Sequence, residues 1–262
     1  MKIAVISDIH GNSAALDAVL SDIERRGISR IVNLGDTISG PLDPKGTAAR
    51  LLGANIPTVS GNHDRWLYDP PDGNLPLWEQ WTLPHIGAAE IDWLKALPAT
   101  REVDGVLLTH GTPESDCENW LHRRAENGDL REAYLWEAAA PARGFDNAVI
   151  LSGHTHMSRI ARLPGGQLLL NPGSVGCPAY RDPRFDPPFV AEAGSTDARY
   201  GVLERVEGVW RASLHAVPYD ASAMIQMARA LDAELWCEAL SIGWMRPAPE
   251  EGGSVTPPAS GS

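Results

Sequence analysis

Five short segments of this chain end in groups that bind hard or borderline metal ions: Asp8-Ile9-His10, Gly35-Asp36, Gly61-Asn62-His63-Asp64, His110-Gly111 and Gly153-His154-Thr155-His156. Each follows a short apolar run that reads as a buried strand, at residues 3–6, 31–34, 56–59, 106–109 and 148–151. In open α/β sheets, ligands bind in the crevice beyond the carboxyl ends of the strands. A fold that buries these runs side by side therefore brings the five segments to one place.

The first half alternates strand and helix. Asn12 or Ser13 can cap a helix whose Leu16, Val19, Leu20 and Ile23 fall at helical spacing, and Gly27 ends it. Asp43-Pro44 opens a second helix, and the βαβαβ order predicts parallel strands with right-handed crossovers. Residues 66–100 break this rhythm with Trp66, Trp78, Trp81 and Trp93 among five prolines, and read as a surface excursion over the strand ends followed by a helix at 88–97. Residues 117–140 read as helical, with Glu126, Asp129, Glu132 and Glu137 on a solvated face and His122 among them. Hairpins are predicted at 159–170 and 200–217, so the second half reads as antiparallel. A helix at 221–240 and a disordered tail rich in Pro, Gly and Ser at 247–262 complete the chain.

Composition limits what such a site can serve. The 262 residues, 43% of them hydrophobic, suffice for one large domain with an appendage. A net charge of -12 gives no basic footprint for nucleic acid, whereas a small phosphorylated substrate stays compatible because bound cations invert the local field. Cys117, Cys177 and Cys237 are far apart and form no Cys-x-x-Cys pair, which predicts buried thiols in a reducing compartment. The first residues run directly into a strand and no apolar stretch is long enough for a membrane, so the expectation is a cytoplasmic protein. Homo-oligomerisation cannot be read from the sequence.

Along an extended chain alternate side chains share a face, so Asp8 with His10, and His154 with His156, can each grip one ion. Asp36 can bridge two ions, Asn62 offers a carbonyl oxygen and His110 a further imidazole. Seven candidate ligands, Asp8, His10, Asp36, Asn62, His110, His154 and His156, exceed the needs of one tetrahedral ion and suit two that share a bridge. Asn12 is a candidate phosphate contact as well as a helix cap. Asn171-Pro172-Gly173-Ser174 reads as a tight turn near the site. The tryptophans of the excursion could stack a nucleobase, although packing is the commoner use of such residues. His85, His122 and His215 read as ordinary structural histidines.

The ordered set Asp8-x-His10, Gly35-Asp36, Gly61-Asn62-His63-Asp64, His110 and Gly153-His154-x-His156 resembles the calcineurin-like metallophosphoesterases over residues 1–217. Asp8-Ile9-His10-Gly11-Asn12, Gly40-Pro41 and Asn171-Pro172-Gly173-Ser174 resemble its compact prokaryotic branch, which includes small phosphodiesterases and diadenosine tetraphosphatase-like proteins. The resemblance implies a four-layer α/β/β/α sandwich of two mixed sheets over residues 1–217, and the helical extension at 218–246 lies outside its common motifs. It implies that Asp8, His10, Asp36 and His156 hold one ion and Asp36, Asn62, His110 and His154 a second, with Mn or Fe expected and Zn, Ni or Co accommodated. It further implies in-line attack by a metal-bridging hydroxide on a small phosphodiester, phosphomonoester or dinucleoside polyphosphate, with His63 as general acid and Asp64 orienting it. Rival readings are a nuclease, which the acidic balance disfavours, and a non-catalytic interaction module, which the intact ligand set disfavours.

Overall fold

The computed structural model describes residues 1–182 and 185–246, so the tail expected to be disordered lies outside the described residues. Strands β1 (Lys2–Ile6) and β2 (Ile31–Asn33) pair in parallel across helix α1 (Ser13–Arg25). Asn12 caps α1 by accepting from the Ala15 amide at 3.0 Å. Helix α2 (Pro44–Ala54) starts with Pro44, whose missing N–H would be unpaired there in any case, and Asp43 accepts from the Gly46 amide. The run at 56–59 forms only a parallel bridge between Asn33 and Thr58 instead of a third strand, because Pro57 supplies no amide to the ladder.

The excursion folds into short helices, α3 (Asn62–Trp66), α4 (Leu77–Thr82) and α5 (Ala88–Lys95), the last close to the predicted span. Ile91 and Leu94 of α5, with Leu67 and Leu83, close over a cluster with Ile38 and Ala48, while Trp78 and Trp81 of α4 pack into the cluster around Trp236. Strands β3 (Thr100–Val103) and β4 (Val106–Thr109) follow.

Residues 117–140 depart most from expectation. They form strands β5 (His122–Arg124) and β6 (Leu130–Glu132) and the short helix α6 (Leu135–Ala139). Asn127-Gly128, with Gly128 at φ 89°, turns the chain into an antiparallel hairpin and overrides a helix-like composition. His122 is thus a buried strand residue 3.1 Å from the Thr155 hydroxyl, and Glu132 and Glu137 do not share a helical face.

The remaining strands are β7 (Val149–Leu151), β8 (Arg159–Arg162), β9 (Leu168–Asn171), β10 (Ala179–Asp182), β11 (Phe189–Glu192), β12 (Ala198–Val206) and β13 (Val209–Val217). Both predicted hairpins, β8–β9 and β12–β13, form, but β4, β7 and β9 run parallel, so the second half is mixed and not antiparallel throughout. The late helix is two, α7 (Ser222–Ala230) and α8 (Glu234–Ile242), broken where Asp232 takes a left-handed φ of 54°.

Two large sheets result, ordered β13-β12-β1-β2 and β3-β4-β7-β9-β8. The period of two places Ile3, Val5, Val32 and Leu203 from one sheet against Val106, Leu108, Val149, Leu151 and Leu170 from the other. The alternate residues Ala4 and Ile6 face Leu16, Val19 and Ile23 of α1. On the far side, Leu107, Ile150 and Leu169 are covered by Trp120, Leu121 and Ala138, so the outer layer there is the hairpin segment and α6. Helices α7 and α8 pack Met224, Trp236 and Leu240 onto Leu42 and Cys177 of the body. Among the described residues no helix is long and apolar enough to cross a membrane.

One polar tie fastens α1 to β12. The Tyr200 hydroxyl donates to Asp22 at 2.6 Å, beside Arg26 and Arg25. Burial raises the Asp22 carboxyl, but hydrogen bonds from Tyr200, Arg26 and Arg25 outweigh it and hold its pKa at about 2 against the ordinary 3.8. Because the folded value is depressed, the stabilisation is present above the unfolded value and is lost as pH falls towards 2. Tyr200→Phe is expected to cost about 1–2 kcal/mol in urea unfolding at pH 7. The difference from wild type should shrink as pH is lowered from 4 to 2; a pH-independent difference would show that the hydroxyl acts through packing alone.

Candidate metal centre

The segments predicted to converge do so where the two sheets abut. Asp8 and His10 follow β1, Asp36 follows β2, His110 follows β4, and His154 and His156 follow β7, while Asn62 opens α3. The extended alternation expected for the paired ligands is not how this is achieved. Asp8, His10, Asp36, His154 and His156 all have left-handed backbones, with φ of 54°, 49°, 53°, 67° and 60°. Such conformations cost roughly 1–3 kcal/mol each and persist only where the surroundings dictate them. Here the Ile9 and His10 amides donate to the Asp36 carbonyl at 2.9 and 3.0 Å, and the Asp8 amide to the Gly35 carbonyl at 3.0 Å, locking the two loops together. A Cβ on Gly61 would run into Asp36 Oδ1, which is why glycine precedes Asn62.

The side chains fall into two groups, Asp8 with His10 and His156, and Asp36 with His110 and His154. His154 and His156 thus separate between the groups and do not grip together. Each imidazole has one nitrogen within hydrogen-bond reach of a main-chain carbonyl: His10 Nδ1 with Ser39 at 3.1 Å, His110 Nδ1 with Leu34 at 2.8 Å, His156 Nδ1 with Cys177 at 2.9 Å and His154 Nε2 with Cys117 at 3.1 Å. With one nitrogen of each ring taken by those carbonyls, the other nitrogen faces the site, the arrangement found in ligand histidines.

His10 Nε2 and His156 Nε2 then face each other at 3.1 Å, with Asp8 Oδ1 3.4 Å from His156 Nε2. Asp36 Oδ2 lies 3.1 Å from His110 Nε2 and 3.7 Å from His10 Nε2, within reach of both groups. The Asn62 amide sets one terminal atom 3.1 Å from His110 Nε2 and 3.0 Å from His154 Nδ1. As a hydrogen-bonding group alone it would turn its nitrogen to these acceptors; as a metal ligand it presents oxygen. Lone pairs converging in this way repel one another unless a cation lies between them, so the donor set fits metal ions.

Electrostatics leads to the same conclusion. Burial pushes His10 and His154 down to about 3 and His156 well below its usual value, so these rings stay neutral, as ligands must. Burial also lowers His110, but Asp36 outweighs it and raises this imidazole to about 10. Asp36 is in turn held well below the carboxylate range, since His110 first and then His63 and His10 overcome its burial. Burial, partly offset by His110, lifts Asp8 to about 7, so protein groups alone do not keep both carboxylates fully charged. Divalent cations resolve that conflict.

His63 lies beside the first group, its ring 5.4 Å from that of His10. Asp64 does not orient it, contrary to expectation. Adjacent side chains on α3 diverge, and Asp64 accepts from the Asp36 and Thr37 amides at 2.8 Å each, the Thr37 hydroxyl at 2.6 Å and the Gly61 amide at 3.0 Å. It fixes the Asp36 loop against α3. The partner of His63 is Glu79 of α4, whose Oε1 is 2.6 Å from His63 Nδ1. Glu79 sits in the tryptophan-rich excursion without a motif, and its one signal in the sequence is a lone carboxylate in Leu77-Trp78-Glu79-Gln80-Trp81.

Asn12 is fully buried, and besides capping α1 its amide nitrogen donates to the Gly176 carbonyl and the Tyr219 hydroxyl at 2.9 Å each, so the capping role takes the residue and leaves the phosphate role without a free donor. The turn at 171–174 does border the site: Asn171 donates to the Gly153 carbonyl and Ser174 to the Asp8 carbonyl. The tryptophans pack rather than present free faces. Trp78 stacks on His63 at 4.9 Å and meets Trp236 of α8 at 4.8 Å, Trp66 abuts His63 edge-on at 4.6 Å, and Trp81 and Trp93 join hydrophobic clusters. Tyr180 closes on His156 at 4.7 Å. Cys117 is exposed, unlike the buried Cys177 and Cys237.

Two candidate metal sites at the carboxyl ends of two stacked sheets define a metal-binding α/β/β/α sandwich. A family model described as the calcineurin-like phosphoesterase superfamily domain matches residues 1–188, and the chain belongs to that superfamily. Metal-dependent phosphoester hydrolysis is the chemistry this family implies. Protein MJ0912 of Methanocaldococcus jannaschii is 30% identical over 205 residues, which span 67% of this chain and 76% of that protein. The crystal structure of a metallophosphoesterase from Sphaerobacter thermophilus matches with a TM-score of 0.71 at 24% identity, covering 93% of this chain and 100% of the other. That of hypothetical protein PH1004 from Pyrococcus horikoshii gives 0.70 at 18% identity, covering 94% and 99%. These two likenesses establish the fold.

Proposed function

We propose that this chain is a dinuclear metal-dependent phosphoesterase that hydrolyses a small phosphodiester, phosphomonoester or dinucleoside polyphosphate. The observation that carries this reading is the reach of Asp36 Oδ2 to an imidazole of each group, 3.1 Å from His110 Nε2 and 3.7 Å from His10 Nε2. Asp8, His10, Asp36 and His156 would hold one ion and Asp36, Asn62, His110 and His154 the other, with Mn or Fe as the family expectation. When bound, a pair of such ions lowers the pKa of water and stabilises the charge of the attacking and leaving oxygens. His63, which keeps 19% of its side-chain surface exposed, holds a proton for the leaving oxygen. Trp78 and Trp236 border His10, and Tyr180 borders His156, so substrate would enter on the side of His154 and His63.

A net charge of -12 favours a small, nucleotide-like phosphate over a nucleic-acid strand. The test is Mn-dependent release of nitrophenol from bis-p-nitrophenyl phosphate. Wild type should turn over only with metal, and His110→Ala should lose at least about a hundredfold, since losing a ligand should exceed the 10–100-fold typical of losing a residue that merely holds one. Equal turnover by His110→Ala would remove the dinuclear reading. A metal-loaded wild type that cleaves neither diesters, monoesters nor dinucleoside polyphosphates would instead favour an interaction module.

A further inference from the structure

Helix α4 lies in the excursion and places Trp78 and Glu79 side by side against His63. Glu79 is fully buried and its Oε1 is 2.6 Å from His63 Nδ1. Its Oε2 has no hydrogen-bond partner among the described residues. A carboxylate buried with so little support is a poor source of stability, because desolvation offsets much of what its one contact returns. What the contact does fix is the ring. The imidazole is stacked on Trp78 with an interplanar angle of 21°, and abutted by Trp66 at 71°. With rotation blocked by the two indoles and Nδ1 taken by Glu79, Nε2 is the one ring nitrogen left to meet a ligand.

We infer that Glu79 is the positioning residue of the reaction, accepting from His63 Nδ1–H and holding the ring in the orientation that presents Nε2–H to the leaving oxygen. This rests on the phosphoesterase reading above. In the step it serves, the oxygen of water forms the new bond to phosphorus and the ester P–O bond breaks. The leaving oxygen takes the proton from His63 Nε2, and the proton released from water restores the imidazolium. Glu79 touches neither substrate nor ions and acts through His63. The same helix is braced from behind, since Trp78 packs on Trp236 of α8.

The test compares Glu79→Met, which removes the acceptor, with Glu79→Gln, which keeps an acceptor oxygen without the charge, on aryl methyl phosphate diesters whose leaving phenols range from nitrophenol to phenol. A proton on the leaving group matters little for nitrophenolate and much for phenolate. Glu79→Met should therefore lower kcat about 10–100-fold on the phenyl ester, with little change on the nitrophenyl ester or in KM, and Glu79→Gln should recover part of the loss. His63→Gln should show the same leaving-group dependence, and adding Glu79→Met to it should do no further harm. Independently of turnover, nitrogen NMR of zinc-loaded protein, recorded at a pH high enough to leave the His63 ring neutral, should report its remaining proton on Nδ1 in wild type and shared between the two nitrogens in Glu79→Met. A loss equal across all esters, or an unchanged His63 tautomer in Glu79→Met, would overturn the inference. Failure of wild type on every ester would defeat the phosphoesterase reading itself and this inference with it.

Discussion

Asp36→Asn is expected to abolish turnover on every phosphoester while leaving the protein folded. Asparagine is nearly isosteric, and it tolerates the left-handed backbone that Asp36 adopts at φ 53°. Its side-chain oxygen can still accept from the His63 amide, which donates to Asp36 Oδ1 at 2.9 Å. The Asp64 bonds to the Asp36 and Thr37 amides involve only main chain at position 36 and survive. What disappears is the charge of the oxygen that lies 3.1 Å from His110 Nε2 and 3.7 Å from His10 Nε2. The loss should exceed the roughly 10–100-fold that follows removal of residues merely holding a ligand. Circular dichroism and metal content, measured with turnover, separate a lost site from a lost fold, and near-wild-type turnover would mean that Asp36 bridges nothing.

Trp236→Ala should have the largest effect on stability among residues that face the site. The indole is 3% exposed, its edge packs on Gly40, and its ring meets Trp78 at 4.8 Å and His10 at 6.1 Å. Its N–H has no hydrogen-bond partner among the described residues, so the loss is one of packing. Truncating a buried Trp to Ala costs about 3–5 kcal/mol. Since α7 and α8 are held through the same cluster, thermal unfolding should fall by many degrees and turnover should fall with it as Trp78 loses its brace. A change below about 1 kcal/mol would show that the C-terminal helices are not part of the cooperative unit.

The ligands were legible because their positions follow from strand periodicity: a buried run ends, and the next residues must lie at the rim. The backbone that aims them was not legible: Asp and His enter the left-handed region more readily than most residues, but residue type alone does not tell that Asp8, His10, Asp36, His154 and His156 adopt it. A strong local turn signal also outweighs composition, as at Asn127-Gly128, which makes a hairpin of a segment whose composition suits a helix. Pro57 likewise reduced an apolar run to a single bridge. Asp64 and Glu79 show the limit of adjacency. The residue next to His63 in sequence serves Asp36, and the carboxylate that serves His63 comes from sixteen residues further along the chain.

The most direct test of the central claim is the metal content and electron paramagnetic resonance spectrum of the purified protein reconstituted with manganese. The account predicts two manganese ions per chain, close enough through Asp36 to be exchange-coupled, at roughly the 3.5–4 Å typical of two-metal phosphoryl-transfer sites, with the coupling lost in Asp36→Asn. One ion per chain at full turnover, or two ions giving the uncoupled signals of isolated manganese, would contradict it.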